Sequence, residues 1–141
     1  MQTLYKWWAG LLLVAVVLQV GLAGYGAFYV AHKVDGDGKS IDTDGFEDGF
    51  GIHMGFGYLV VLLILVGLII AAVAGVRGRQ LGRAGALFGL GILQILLAWF
   101  GSDVPVIGFF HPINAFVILG LALMIAWGEG RVAPARAEPA V

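Results

Sequence analysis

The run Gly49–Val76, GFGIHMGFGYLVVLLILVGLIIAAVAGV, holds 28 residues without a single Asp, Glu, Lys or Arg. A helix rises about 1.5 Å per residue, so roughly 20 apolar residues cross the ~30 Å of bilayer hydrocarbon. This run is long enough to do so. Three more uncharged runs lie around it: Ala9–Ala31 with 23 residues, Ala84–Ser102 with 19 and Val104–Gly128 with 25. They predict an all-α, polytopic membrane protein whose four helices cover about 5–31, 50–76, 83–102 and 110–128. An acidic loop at 32–49 joins the first two, and 129–141 forms a flexible Ala- and Pro-rich tail. The first run follows Lys6 like a signal sequence, but it is long for one and is read as a retained helix.

Composition agrees. Of the 141 residues, 60% are hydrophobic and 12% are charged, whereas a soluble domain is about half apolar. Cysteine is absent, which removes disulfides, thiolate zinc sites, iron–sulfur clusters and thiol catalysis. A net charge of −1 offers no basic surface for nucleic acid, so the lipid bilayer is the expected surrounding.

Basic residues set the expected orientation. With the N-terminus inside, Lys6, Arg77, Arg79, Arg83, Arg131 and Arg136 are cytoplasmic, leaving Lys33 and Lys39 outside. Asp35, Asp37, Asp42, Asp44, Glu47, Asp48 and Asp103 then face outward. The expectation is a protein of the cell's inner (plasma) membrane with both termini cytoplasmic and an antiparallel bundle. A short basic turn, Arg77 to Arg83, joins helices 2 and 3, and Pro112 suits the first turn of helix 4.

The bundle contains an internal echo. Leu18–Gly26 (LQVGLAGYG) aligns with Leu93–Gly101 (LQILLAWFG) with five of nine positions identical. Each segment is followed by a helix with a histidine near its start, His53 and His111. Two hairpins related by a pseudo-twofold axis along the membrane normal would give this pattern.

A histidine inside a membrane is costly and marks a functional site. Helices 2 and 4 run in the same direction, so His53 and His111 share one depth near the outer face. Neighbouring axes about 10 Å apart put these diagonal helices roughly 14 Å apart. Two inward imidazoles span that gap only with something between them, and an iron porphyrin fits. His53 shares its face with Gly49, Phe56, Gly57 and Val60, and His111 with Asn114, Ala115 and Ile118. Gly57 and Ala115 leave room for a flat macrocycle, while Gly21, Gly24, Gly26, Ala98 and Gly101 thin helices 1 and 3 where its edges would lie. Tyr29, His32, Lys33, Trp99 and Ser102 are candidates for the polar rim, and Trp99 equally suits an interfacial aromatic. The expected site is thus His53 and His111 as metal ligands with Gly57, Ala115, Gly24, Gly101 and Trp99 around the cofactor.

Gln19 and Gln94 occupy equivalent repeat positions and read either as interhelical hydrogen-bonders or as contacts to the cofactor or a quinone. The stretch Asp35–Asp42 opens like a calcium loop. It puts Lys39 at the fifth position and lacks glycine at the sixth, so it reads as a solvated loop.

The pattern Leu-Gln-x-x-Leu-Ala on odd helices, with a histidine opening each even helix, resembles one four-helix half of the haem A synthase fold. Through His53-x-x-x-Gly57-Tyr58 and His111-Pro112-Ile113-Asn114-Ala115 it is also similar to a family of small four-helix bacterial membrane proteins with paired histidines. The resemblance spans residues 9–128 and implies that His53 and His111 are axial haem ligands. Haem A synthase has a glutamate three residues before its helix-2 histidine and an arginine directly after it. Phe50 and Met54 stand there in this chain, so the resemblance carries the haem scaffold and not the oxidation of a haem methyl group.

The expectation is a membrane b-type cytochrome with one bis-histidine haem b, exchanging electrons with quinone or a neighbouring redox subunit, and more a carrier than a catalyst. A cofactor-free accessory or assembly subunit of a larger membrane complex is the competing reading, and the sequence leaves a homo-oligomer open.

Overall fold

The computed structural model describes residues 2–37 and 40–128. All of its regular structure is helical: α1 (Gln2–Asp37), α2 (Thr43–Val73), α3 (Arg79–Asp103), the single turn α4 (Pro105–Gly108) and α5 (Phe110–Gly128). Four segments are long and apolar enough to cross a membrane: Thr3–Asp35, Thr43–Val73, Arg79–Asp103 and Pro105–Trp127. In hydrocarbon every backbone N–H and C=O needs an internal partner, and a helix is the local way to supply it.

The helices overrun the uncharged stretches. α1 continues through Asp35 and α2 starts at Thr43, so most of the acidic segment expected as the loop 32–49 is helical. The physical reason is that charge marks where hydrocarbon ends, whereas capping marks where a helix ends. Asp42 has extended backbone (φ −89°, ψ 179°), and its Oδ1 accepts a 2.9 Å bond from the Gly45 N–H, satisfying an otherwise free donor of the first turn. Between α2 and α3 the chain turns through Gly75 and Gly78, whose φ values of 72° and 61° favour glycine. Val104 is extended ahead of Pro105, as residues before proline prefer, and Pro105 then opens α4. The tail expected at 129–141 lies outside the described residues, as does part of the calcium-like stretch.

α1 packs on α2 and α5, and α3 packs on the same two helices, while the backbones of α1 and α3, and of α2 and α5, stay apart. The packing pairs run in opposite order along α1 and α2. A Cβ on Gly26 would sit 2.8 Å from the Phe50 ring, Gly49 lies under Tyr29, and Trp8 covers Gly67. The core between the helices holds Tyr5, Trp8, Leu12, Val16, Val60, Ile64, Leu87, Ile118 and Ile125. Trp8 donates its indole N–H to the Leu63 carbonyl at 3.0 Å. Leu62, Ile69, Val73, Phe116, Val117 and Met124 face outward. That exposure would be a liability in water and is the normal lipid-facing surface of a spanning bundle.

Candidate functional site: a paired-histidine cavity

The four spanning segments leave a cavity of about 450 Å³ between them, and both membrane histidines line it. His53 comes from α2 and His111 from the second residue of α5, two helices whose backbones stay apart. Their ring centroids are 6.3 Å apart with planes inclined at 70°.

Each ring is held in the same manner. The Nδ1 of His53 lies 3.2 Å from the backbone carbonyl of Gln19, and that of His111 lies 3.0 Å from the backbone carbonyl of Gln94. A carbonyl oxygen only accepts, so each Nδ1 must carry the proton and donate it. In a neutral imidazole the other nitrogen, Nε2, then keeps its lone pair, the form that ligates metals. A ligating histidine steadied through its second nitrogen by a backbone carbonyl is a common arrangement around metals. The two supporting carbonyls belong to the equivalent glutamines of the Leu18–Gly26 and Leu93–Gly101 segments.

The glutamine side chains behave differently. Gln19 donates from Nε2 to the His53 carbonyl at 2.8 Å, tying α1 to α2. Its Oε1 is buried without a hydrogen-bond partner. Gln94 instead accepts at Oε1 from the Asn114 Nδ2 at 2.7 Å, and the same Nδ2 lies 3.0 Å from the Leu90 carbonyl. Asn114, 6% exposed, is the polar residue most deeply buried among those described. A buried carboxamide is stable in an apolar bundle only when so paired.

The remaining walls are apolar. Gly57, Val60 and Ile64 from α2, Gly91, Ile95 and Ala98 from α3, and Ala115 and Ile118 from α5 line the cavity. Met54, Tyr58 and Trp99 reach both the cavity and the outer surface. Of the residues expected around a cofactor, His53, His111, Gly57, Ala115 and Trp99 therefore come together. Gly24 and Gly101 are not among the lining residues. Gly101 serves helix contact instead: a Cβ there would lie 2.5 Å from the Gly108 Cα, so the pair lets α4 fold back onto α3 just before His111. On the expected rim, Ser102 lines the cavity and donates to the Ala98 carbonyl at 3.0 Å. Tyr29 donates to Asp48 at 3.4 Å, with the Lys33 ammonium 5.7 Å from its ring centroid.

Phe50, one turn before His53, meets its ring edge-on at 6.1 Å between centroids. Gln19 and Gln94 are interhelical hydrogen-bonders, as expected; the pairing of Gln94 with Asn114 and the outer wall of Met54 and Tyr58 are additions from the structure. Asn114 is an uncharged polar residue three positions beyond His111 inside an apolar run, on the face that carries the histidine. No third His, Cys, Asp or Glu joins the histidines among the described residues.

Comparison of the chain with protein-family models, characterised proteins and solved structures gave no match. The likeness to the haem A synthase half-fold therefore rests on the quoted residues alone.

Proposed function

We propose that the protein is a membrane b-type cytochrome that holds one haem b between His53 and His111. The single observation that carries this reading is the spacing of the rings. Two imidazoles bound to one metal from opposite sides, with bonds of about 2.0 Å, hold their centroids about 6 Å apart. The rings stand at 6.3 Å, and rotation about the metal–nitrogen axis leaves the 70° between their planes free. Both Nδ1 protons are already committed to carbonyls, so both Nε2 lone pairs are available. Two ligands alone would leave a bare ion short of partners, whereas a porphyrin brings four nitrogens of its own. A cavity of about 450 Å³ lies within the ~300–1,000 Å³ usual for cofactor sites.

His53 and His111 would hold the haem, which when bound would supply one-electron chemistry suited to electron transfer over oxygen activation. The protein's part is to hold and tune. The Gln19 and Gln94 carbonyls fix the imidazole tautomers and raise the basicity of Nε2. Gly57 and Ala115 keep the space beside each ligand clear, and the apolar walls exclude water. Met54, Tyr58 and Trp99 form the outward wall, where a membrane quinone or a neighbouring redox subunit would approach.

The account includes an antiparallel four-helix bundle of two pseudo-twofold hairpins, the N- and C-termini on the cytoplasmic side of the inner membrane, and the site near the outer face. The repeat-equivalent carbonyls on Gln19 and Gln94 support the hairpin relation, and the distribution of Lys and Arg supports the orientation. Substituting His53 or His111 by alanine is expected to abolish the low-spin haem spectrum of the purified protein. An unchanged spectrum in both variants would remove the assignment.

A further inference from the structure

The two histidines stand on helices of different stiffness. α2 carries Gly45, Gly49, Gly51, Gly55 and Gly57, five glycines within 13 residues, with His53 among them. α5 has none from Phe110 to Leu119. Glycine gives up more backbone freedom than any other residue on entering a helix, so this part of α2 is the easier one to deform.

Polar support divides the same way. One turn beyond His111, buried Asn114 ties α5 to α3 through the Leu90 carbonyl and the Gln94 carboxamide. Three residues beyond His53 stands Phe56, and the polar side-chain tie on that side is the single bond from the Gln19 Nε2 to the His53 carbonyl. On that side the Gln19 Oε1 is left buried and unpartnered.

We infer that His53 is the axial ligand that yields, opening a binding position for a neutral diatomic molecule while His111 keeps the haem in place. This rests on the haem reading above. In the exchange the bond from iron to the His53 Nε2 breaks and a bond from iron to the diatomic forms. No electron changes hands, and His53 retains its Nδ1 proton. Beside His53 the cavity is bounded by Met54, Gly57 and Tyr58. Gly57 contributes no side chain, and walls without a cationic group favour a neutral ligand over an anion.

The test is carbon monoxide titration of the dithionite-reduced protein in detergent, followed by absorption and by rebinding after flash photolysis. Wild type is expected to form a carbon monoxide adduct. His53→Ala is expected to keep its haem and bind carbon monoxide at least tenfold more tightly, because no ligand needs displacing. His111→Ala is expected to hold less than a tenth of the wild-type haem while keeping its helical circular dichroism. A Cβ at Gly51 or Gly55 would meet no atom within 4 Å, so alanine there stiffens α2 without a clash. Each of these substitutions should raise the apparent carbon monoxide Kd about fivefold, the helix preference of alanine over glycine. Gly120→Ala on α5, equally unobstructed, should leave it unchanged. Wild-type haem that forms no adduct, His53→Ala that loses haem while His111→Ala keeps it, or glycine variants without effect would each overturn the inference. Wild type with no haem at all would overturn the underlying reading instead.

Discussion

Gly67→Ala puts the packing of α1 on α2 to a quantitative test. A Cβ at position 67 would fall 1.8, 2.0 and 2.2 Å from Cζ2, Cη2 and Cε2 of Trp8. Carbon atoms need about 3.5 Å, so the indole must shift by well over an ångström. It is poorly placed to shift: Trp8 is buried, stacks on Tyr5 at 5.7 Å between centroids and donates to the Leu63 carbonyl. Overpacking costs about 1–3 kcal/mol and the lost hydrogen bond about 1 kcal/mol, so the expected destabilisation is about 2–4 kcal/mol. Reversible unfolding in mixed detergent, followed by circular dichroism, measures it. Repeating Gly67→Ala in a Trp8→Ala background provides the decisive comparison, because the clash then has no partner. The cost should fall below about 0.5 kcal/mol, leaving a coupling energy of at least ~1.5 kcal/mol. Equal costs in the two backgrounds would refute the proposed seat of Trp8 over Gly67. Position 67 lies 14 residues from His53 along α2, about 21 Å, so the haem spectrum of the folded fraction should be unchanged.

Four other substitutions test separate parts of the structure. Asn114→Leu leaves the Gln94 Oε1 without its donor and should destabilise the protein by about 1–3 kcal/mol in the same unfolding assay; a neutral result would mean the buried pair contributes nothing. Gly101→Ala presses on the Gly108 backbone at 2.5 Å and should displace the turn that delivers His111, lowering haem content in a pyridine haemochrome assay, whereas Gly24→Ala, with open space around it, should leave haem content unaltered. Asp42→Ala removes the cap of α2 and should cost about 0.5–2 kcal/mol, seen as faster hydrogen exchange confined to the first turn around Gly45.

The four spans were legible because uncharged length is a one-dimensional property, and hydrocarbon thickness converts it directly into helices. The two histidines stood out because few side chains in these spans can ligate, and the structure places both on one cavity. Helix ends were less legible. The acidic residues Asp35 and Asp44 suggested a loop, yet charge forbids burial in lipid, not helicity, and Asp42 supplied a cap that carried α2 back to Thr43. Gly24 and Gly101 were expected at the site because they thin helices 1 and 3, yet a missing side chain does not say what lies beside it: Gly24 has open space, and Gly101 has backbone against it. Gly108, on a turn the sequence did not announce, proved to be what meets Gly101. The Asn114–Gln94 bond depends on the rotation of α5 against α3, which no pattern within either helix specifies.

The most direct test of the central claim is a reduced-minus-oxidised absorption spectrum of the detergent-purified protein, with haem counted by pyridine haemochrome. The account predicts sharp low-spin bands at about one haem per chain, as one axial pair implies, lost from His53→Ala and His111→Ala alike. A protein that stays colourless after haem is supplied would contradict it. The histidines would then be packing residues, and the chain a cofactor-free subunit of some larger membrane complex.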